Sequence, residues 1–207
     1  MGRIKEISRE PAHRRKRNPV VYLICEGKET EIRYFKRFRS RGCHIDIIPI
    51  PSQYKAADCL VQKARATMGT NPYYPEEGDV IWCVFDRDEN SDAVLQKAKY
   101  AAKQKGYQLA YSNPSFELWF LLHFVNQRTK VANCQAVIRM LKQSGRMEKY
   151  EKNQDVYDQL KPLQKDAVER AKQRIHALEE ENIEVISRES NPATTVAELV
   201  EYLNNKR

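Results

Sequence analysis

Three carboxylates follow apolar stretches of the chain, at points where buried strands would end. Glu26 comes directly after "VVYLIC" (residues 20–25) and is followed by a glycine, while Asp86 and Asp88 come after "VIWCVF" (80–85). Residues i and i+2 of an extended segment point the same way, so Asp86 and Asp88 are predicted to face one spot together. Carboxylates gathered in a partly dry crevice repel one another unless a cation joins them. The pattern therefore predicts a metal site.

The ligand types indicate which cation this site would take. Carboxylate oxygens are typical ligands of Mg²⁺ or Mn²⁺ rather than of zinc. A zinc site built from Cys43 and His44 lacks the usual ligand spacing. The alternative is that these acidic residues only begin loops after strands. Two strand ends of this kind, one of them an Asp-x-Asp, favour the metal site.

Two interpretations are open for Glu117, in "SNPSFELWFLLHF". Asn113 is a good N-cap residue, Pro114 fits the first helical position and Glu117 falls in the first turn, where a negative charge is favourable. The same helix start is expected at the carboxyl edge of the sheet, where Glu117 would be a further metal ligand or an acid/base group. The run after it is apolar all round, which predicts a buried helix with His123 as a core histidine.

Apolar strands alternate with amphipathic helices in the first half of the chain. This order predicts an α/β fold with a mainly parallel four-stranded sheet and helices on both faces. In such a sheet the carboxyl ends of the strands share one edge, so Glu26 and Asp86 are expected to meet. The predicted strands cover 20–25, 43–50, 80–85 and 107–112, and the predicted helices cover 29–42, 53–69 and 91–106.

The later part of the chain has mostly helical patterns. Helices are predicted around 131–143, 154–160, 162–181 and 192–205. The predicted organisation is a basic flexible arm over 1–19, an α/β domain over 20–126, and a helical extension over 127–207 that packs on the same domain.

Charge and cysteine usage limit the partners and the compartment. The chain has 207 residues and a net charge of +8, of which the first 19 residues contribute +5. This arm either binds phosphates or is a soluble tail. No apolar run approaches the roughly 20 residues that a membrane span needs. The five cysteines form no CxxC pair, which predicts a cytoplasmic protein without disulfides.

Four ordered motifs resemble a known family. An apolar strand ending in Glu-Gly, followed by one ending in Asp-x-Asp, is similar to the TOPRIM domain of topoisomerases, bacterial primases and OLD-family nucleases. More closely, the chain resembles the RloB-like family over about residues 20–205. The motifs that carry the resemblance are "CEGKETEIRYF", "VFDRDEN", "SNPSFELWFLLHF" and "NPATTVAELVEYL".

The resemblance implies a metal-dependent phosphodiesterase, acting on DNA or RNA in anti-phage defence. It implies that Glu26 is the general acid/base and that Asp86 and Asp88 bind Mg²⁺ or Mn²⁺. Glu117 would be a further metal-binding carboxylate and Lys152 a catalytic lysine. Members occur in abortive-infection or restriction-modification loci, often beside an ABC/AAA-type ATPase, which is therefore a possible partner.

Two other functions compete with the nuclease. The first is a non-catalytic TOPRIM-like subunit that binds nucleic acid or a nucleotide and works with a partner ATPase. The second is a phosphatase of the aspartyl-phosphate type, which usually carries its Asp-x-Asp on the first strand rather than the third. ATP hydrolysis by this chain is not expected, because "EGKET" lacks the GxxxxGK frame of a P-loop. Lys28 or Arg87 would add electrostatic help to phosphate chemistry.

Overall fold

The computed structural model describes residues 17–39, 44–88 and 90–206. Most of the predicted arm, residues 1–16, lies outside the described residues. So does Cys43 of the alternative zinc pair.

Five strands form one sheet in the order β2-β1-β3-β4-β5. The first four strands are parallel, which confirms the predicted α/β class. The fifth pairs antiparallel with β4, through Ser112 opposite Thr194, and the sequence patterns did not predict it. The strands are β1 (Val20–Cys25), β2 (Asp46–Pro51), β3 (Val80–Asp86), β4 (Gln108–Asn113) and β5 (Ala193–Thr194).

Eight α-helices accompany the sheet within the described ranges. Helix α3 has the ends that its sequence predicts, since the Ser91 hydroxyl accepts from the Val94 N–H and Gly106 adopts the left-handed conformation with φ of 67°. The helices are α1 (Thr30–Lys36), α2 (Ala57–Thr67), α3 (Asp92–Lys105), α4 (Glu117–Leu122), α5 (Cys134–Leu141), α6 (Tyr157–Leu160), α7 (Gln164–Glu180) and α8 (Val196–Asn205).

The two faces of the sheet have separate apolar cores. Successive side chains of β1 alternate between them, with Tyr22 and Ile24 packing toward α2 and α3, and Leu23 packing toward the other helices. The larger core joins α1 to α4, α5, α7 and α8. Both faces of β1 and β3 are covered, which explains why these two strands are nearly continuous apolar runs. The edge strand β2 alternates between buried and more exposed residues.

The helix start near residue 113 differs from the prediction. Asn113 is the last residue of β4 rather than an N-cap, and α4 begins only at Glu117, with Phe116 in the cap position. The Asn113 amide donates instead to the carbonyl oxygen of Ser187 at 3.0 Å, so it holds the segment that leads into β5. An N-cap asparagine accepts a hydrogen bond through its side-chain oxygen, whereas Asn113 donates through its side-chain nitrogen.

His123 is a core histidine, as predicted. It is 1% exposed, its ring packs on Trp119 at 4.8 Å between centroids, and its Nδ1 lies 2.8 Å from the carbonyl oxygen of Trp119. Burial lowers the pKa of His123 to about 4, which leaves it neutral at physiological pH.

A search of the described helices finds none long and apolar enough to cross a membrane.

Candidate functional site

A cavity of about 300 Å³ lies where β1 and β3 end. Five carboxylates line it: Glu26 after β1, Glu29 just before α1, Glu31 in α1, Asp86 at the end of β3 and Glu117 at the start of α4. The parallel sheet places the ends of β1 and β3 side by side, and α4 follows the neighbouring strand β4. Three of the carboxylates predicted for the site therefore come together.

Glu26 connects the ends of the two central strands. Its backbone N–H donates to the carbonyl oxygen of Val84 at 2.9 Å, which continues the parallel ladder past β1. Its Oε2 accepts from the backbone N–H of Asp86 at 3.2 Å. The glutamate side chain is thus oriented by the strand that carries the next carboxylate.

Glu31 reaches the cavity across the backbone of Gly27. It is 6% exposed, and a Cβ placed on Gly27 would lie 1.9 Å from its Oε2. Any side chain at position 27 would occupy the space of the Glu31 carboxylate. The glycine after Glu26 is therefore required by a close approach rather than by an unusual backbone conformation.

Glu117 is buried and held by three partners. The Ser115 hydroxyl donates to its Oε2 at 2.8 Å, and the Cys134 thiol donates to the same oxygen at 3.3 Å. The Lys152 ammonium lies 3.6 Å from Oε1. Lys152 is therefore at the site, as the resemblance implied.

Three lysines lie around the carboxylates. Lys28, Lys55 and Lys152 all line the cavity and are exposed, and the Lys55 ammonium donates to the carbonyl oxygen of Glu26 at 3.0 Å. Arg87 is absent from the described residues that line this cavity, so of the two cations predicted to help, Lys28 has the position to do so. The cavity is thus lined by carboxylates and by three exposed lysines.

The carboxylates disturb one another's ionisation. Burial, with the charges of Glu31, Glu117 and Glu26, raises the pKa of Asp86 well above its usual range, although the Phe116 N–H donates to Asp86 and works against this. Burial raises the pKa of Glu31 to about 7, to which the charges of Glu117 and Glu26 contribute. Burial also raises the pKa of Glu26. The site therefore concentrates more negative charge than the protein around it compensates.

Asp88 does not share this cavity. Strand β3 ends at Asp86, and Asp88 has a φ of 31°, so the extended geometry expected for the Asp-x-Asp pair is interrupted. Asp88 is exposed and lines a neighbouring cavity of about 480 Å³, which Glu26 and Lys55 also line. Its charge contributes to the raised pKa of Glu26. Asp88 is thus near Glu26, on the side away from Glu117.

A family model connects this geometry to known sequences. The model described as RloB-like protein matches residues 21–203. The chain belongs to the RloB-like family. The matched range includes all five cavity carboxylates and Lys152. Searches of curated proteins and of solved structures gave no match.

Sequence reasoning missed Glu31 and Lys55. Glu31 lies in a charged run, "EGKETEIR", that reads as an exposed helix start, and only the packing of α1 over Gly27 turns it inward. The glycine was a usable signal, because a residue without a side chain beside Glu26 leaves room for a neighbour one helical turn later. Lys55 lies in the loop after β2, and its reach to Glu26 has no sequence signature.

The donor set fits a magnesium or manganese ion. Within 17–39, 44–88 and 90–206, no three His, Cys, Asp or Glu side chains are arranged to hold a metal ion by themselves. Mg²⁺ usually keeps several waters and binds through one or two carboxylates plus substrate phosphates. A cavity that offers five carboxylate side chains and uncompensated negative charge meets that requirement.

Proposed function

We propose that this RloB-like chain is a Mg²⁺- or Mn²⁺-dependent phosphodiesterase that cleaves nucleic acid. One observation carries the proposal: five carboxylates and three lysines line a single cavity at the carboxyl edge of a parallel sheet. The carboxylates suit a divalent cation and the lysines suit phosphates. The resemblance to TOPRIM nucleases supports the same chemistry, with Glu26 and Asp86 at the positions that it implies.

In this proposal one or two of Asp86, Glu31 and Glu117 would hold the metal ion, together with substrate phosphates and water molecules. The bound ion would polarise a phosphate oxygen and lower the pKa of a water molecule. Asp88, at the mouth of the neighbouring cavity, would hold a second ion or a water near Glu26. Ser115 and Cys134 fix one oxygen of Glu117 and so orient that carboxylate.

Glu26 would act as the general acid/base. Its raised pKa brings its proton exchange closer to neutral pH than that of an ordinary glutamate. The Asp86 N–H holds its Oε2, so the carboxyl group has a defined orientation. Lys152, Lys28 and Lys55 would offset the charge of the scissile phosphate and its neighbours.

The family membership suggests a place for this activity in anti-phage defence, with an ABC/AAA-type ATPase as a possible partner. A phage challenge of cells that carry the whole locus tests this role. Protection lost in an Asp86→Asn locus would support it, and protection that persists would contradict it.

Cleavage assays test the enzymatic proposal directly. Wild type, Asp86→Asn and Glu26→Gln are incubated with tRNA, single-stranded RNA, plasmid and single-stranded DNA, in Mg²⁺, Mn²⁺ or EDTA. We expect metal-dependent cutting that falls by at least about 100-fold in both variants. Glu180→Gln, a substitution of an exposed glutamate on α7, is the matched control and should cut normally.

Metal binding is measured separately by calorimetry with Mn²⁺. Cutting that survives both substitutions would overturn the assignment of the site. Metal binding that is lost in Asp86→Asn, without cutting by any variant, would favour the non-catalytic binding subunit.

A further inference from the structure

An exposed aromatic side chain lies on α3, outside the carboxylate cavity. Tyr100, in α3, is 68% exposed, more than any other large hydrophobic residue in the described part of the chain. It lines a groove of about 670 Å³ between α2 and α3. It also lines a second groove of about 600 Å³ on its other side, toward Tyr107 and Leu109. The tyrosine ring therefore forms a ridge between two grooves.

The groove between α2 and α3 is lined mostly by glutamine and lysine side chains. Its described lining contains no carboxylate; beside Tyr100 and Ala101 it consists of Gln62, Gln96, Lys97, Gln104 and Lys105. Every one of these polar side chains can donate hydrogen bonds. The groove thus offers donors and positive charge, with one aromatic ring as its only large apolar group.

Lysines of α3 extend this charge around Tyr100. Lys97, Lys103 and Lys105 form no ion pair with the described residues, whereas Lys99 pairs with Glu184. The helix carries Asp92 as its only acidic residue, at its first position. Three lysines without ion pairs to the described residues, around an exposed aromatic ring, match an anionic partner that also has flat aromatic surfaces.

We propose that the α2–α3 face binds single-stranded nucleic acid, with a base stacked on Tyr100 and phosphates held by Lys97, Lys103 and Lys105. Base stacking on an aromatic side chain beside a basic groove is the usual way in which proteins bind single strands. A duplex keeps its bases stacked on each other, so it cannot use the ring in this manner. A protein partner would need more apolar anchors than this face offers.

The position of the face connects it to the carboxylate cavity. Val94, near the start of α3, lines the cavity that contains Asp88 and borders Glu26. Tyr100 is six residues further along the same helix, a distance of about 9 Å. A strand held at Tyr100 would therefore run along α3 toward the carboxyl edge of the sheet. This binding goes beyond the proposed cleavage and does not depend on it.

Photocross-linking tests the contact without any need for catalysis. The full-length Asp86→Asn variant, in EDTA, is irradiated with oligonucleotides that contain 5-iodouracil, and the cross-linked peptides are identified by mass spectrometry. We expect a cross-link at Tyr100 with single-stranded RNA or DNA, which duplex competitor does not remove. Cross-links confined to residues 1–16 or to the carboxylate cavity would overturn the proposal.

Affinity measurements by fluorescence anisotropy give a second readout on the same protein. Tyr100→Ala should raise Kd by about tenfold, while Tyr100→Phe, which keeps the ring, should change it little. Tyr74→Ala is the matched control, because Tyr74 is the other exposed large aromatic, at 43%. Equal affinities for Tyr100→Ala and the wild type would contradict the stacked base.

The salt dependence of oligonucleotide binding distinguishes the contribution of these three lysines from that of the overall positive charge of the protein. The Lys97→Ala/Lys103→Ala/Lys105→Ala variant should reduce the slope of log K against log salt by about 2, since each phosphate contact on a single strand contributes about 0.7. Lys142→Ala/Lys149→Ala/Lys165→Ala removes the same charge elsewhere and should change the slope less. Identical slopes, or complete displacement of the oligonucleotide by an equal charge of polyglutamate, would overturn the proposal in favour of a site for acidic protein.

Discussion

Asp79 and Asp86 lie at the two ends of β3 and have opposite surroundings. The Asp79 side chain is fully buried, where it accepts from Arg17 at 2.8 Å and from the backbone N–H groups of Val20 and Tyr74 at 2.7 and 2.8 Å. Burial alone would raise the pKa of Asp79, but these partners outweigh it and lower the pKa. Asp86 is surrounded by three other carboxylates, and its pKa is raised.

The difference separates a carboxylate that stabilises the fold from one that we propose for metal binding. Asp79 has a cation and two amide donors from its own chain, so its charge stabilises the fold. The surroundings of Asp86 add negative charge instead of compensating it, so its ionised form destabilises the fold. The residue type is the same at the two ends of the strand. The partners make the distinction.

The largest expected effect is the change in the free energy of unfolding when each of the two aspartates is replaced. Asp79→Ala should lower the free energy of unfolding by about 3 kcal/mol, because it leaves Arg17 and two buried N–H groups without their acceptor. Asp86→Asn should raise the free energy of unfolding of the metal-free protein at pH 8 by about 1 kcal/mol, because it removes a repelled charge. Urea denaturation in EDTA measures both. Destabilisation of similar size in both variants would remove the distinction.

The next effect concerns pH. The pKa of Glu31 is raised from 4.5 to about 7, so the folded state holds this proton more tightly than the unfolded state does. The resulting stability is fully present below pH 4.5 and is lost as the pH rises through 7, by up to about 3 kcal/mol. Denaturation of the metal-free protein between pH 4.5 and 8 should follow this decline, and Glu31→Gln should flatten it.

Divalent metal sharpens the same test. Mg²⁺ or Mn²⁺ should raise the melting temperature more at pH 8 than at pH 5, since the carboxylates must be ionised to bind it. Glu180→Gln, which lies outside the cavity, should leave the pH profile unchanged. A profile that rises between pH 5 and 8 in EDTA would contradict the raised pKa.

The smallest expected effect on stability comes from Gly27→Ala. The new Cβ would collide with the Glu31 carboxylate, which is the end of a flexible side chain and can move aside. We expect the free energy of unfolding to change by less than about 1 kcal/mol, while the affinity for Mn²⁺ falls at least about fivefold. Calorimetric titration measures the affinity, with Gly106→Ala, at the end of α3, as a control. Unchanged metal affinity would show that Glu31 is not needed at the site.

The sequence predicts the parts of this molecule that repeat a strong pattern. Strands β1 and β3 are nearly continuous apolar runs, and α3 has a serine and a glycine at its ends, so their positions follow from local chemistry. Because the carboxyl ends of parallel strands share one edge of the sheet, the proximity of Glu26 and Asp86 could also be predicted from the sequence. The position of Glu117 at the site could be predicted with one more inference, namely that a helix follows the fourth strand.

The remaining features depend on packing between distant segments. Strand β5 has two residues, too few for any periodicity, and it exists because β4 offers it an edge. Glu31 turns inward because Gly27 makes room, and Asp88 turns away because the strand ends at Asp86. Local residue types do not determine where a strand stops or how closely a helix approaches it.

The late pairing of β5 with β4 has a consequence for synthesis. Ser112 and Thr194 are 82 residues apart, and α8, which follows at once, contributes Val196, Leu199 and Leu203 to the larger core. A ribosome that stalls before residue 194 releases a chain in which the edge of β4 is uncovered and part of the core is empty. Such exposed edges and apolar surfaces are what chaperones and proteases recognise. Incomplete products would thus be prone to aggregate until β5 and α8 are present.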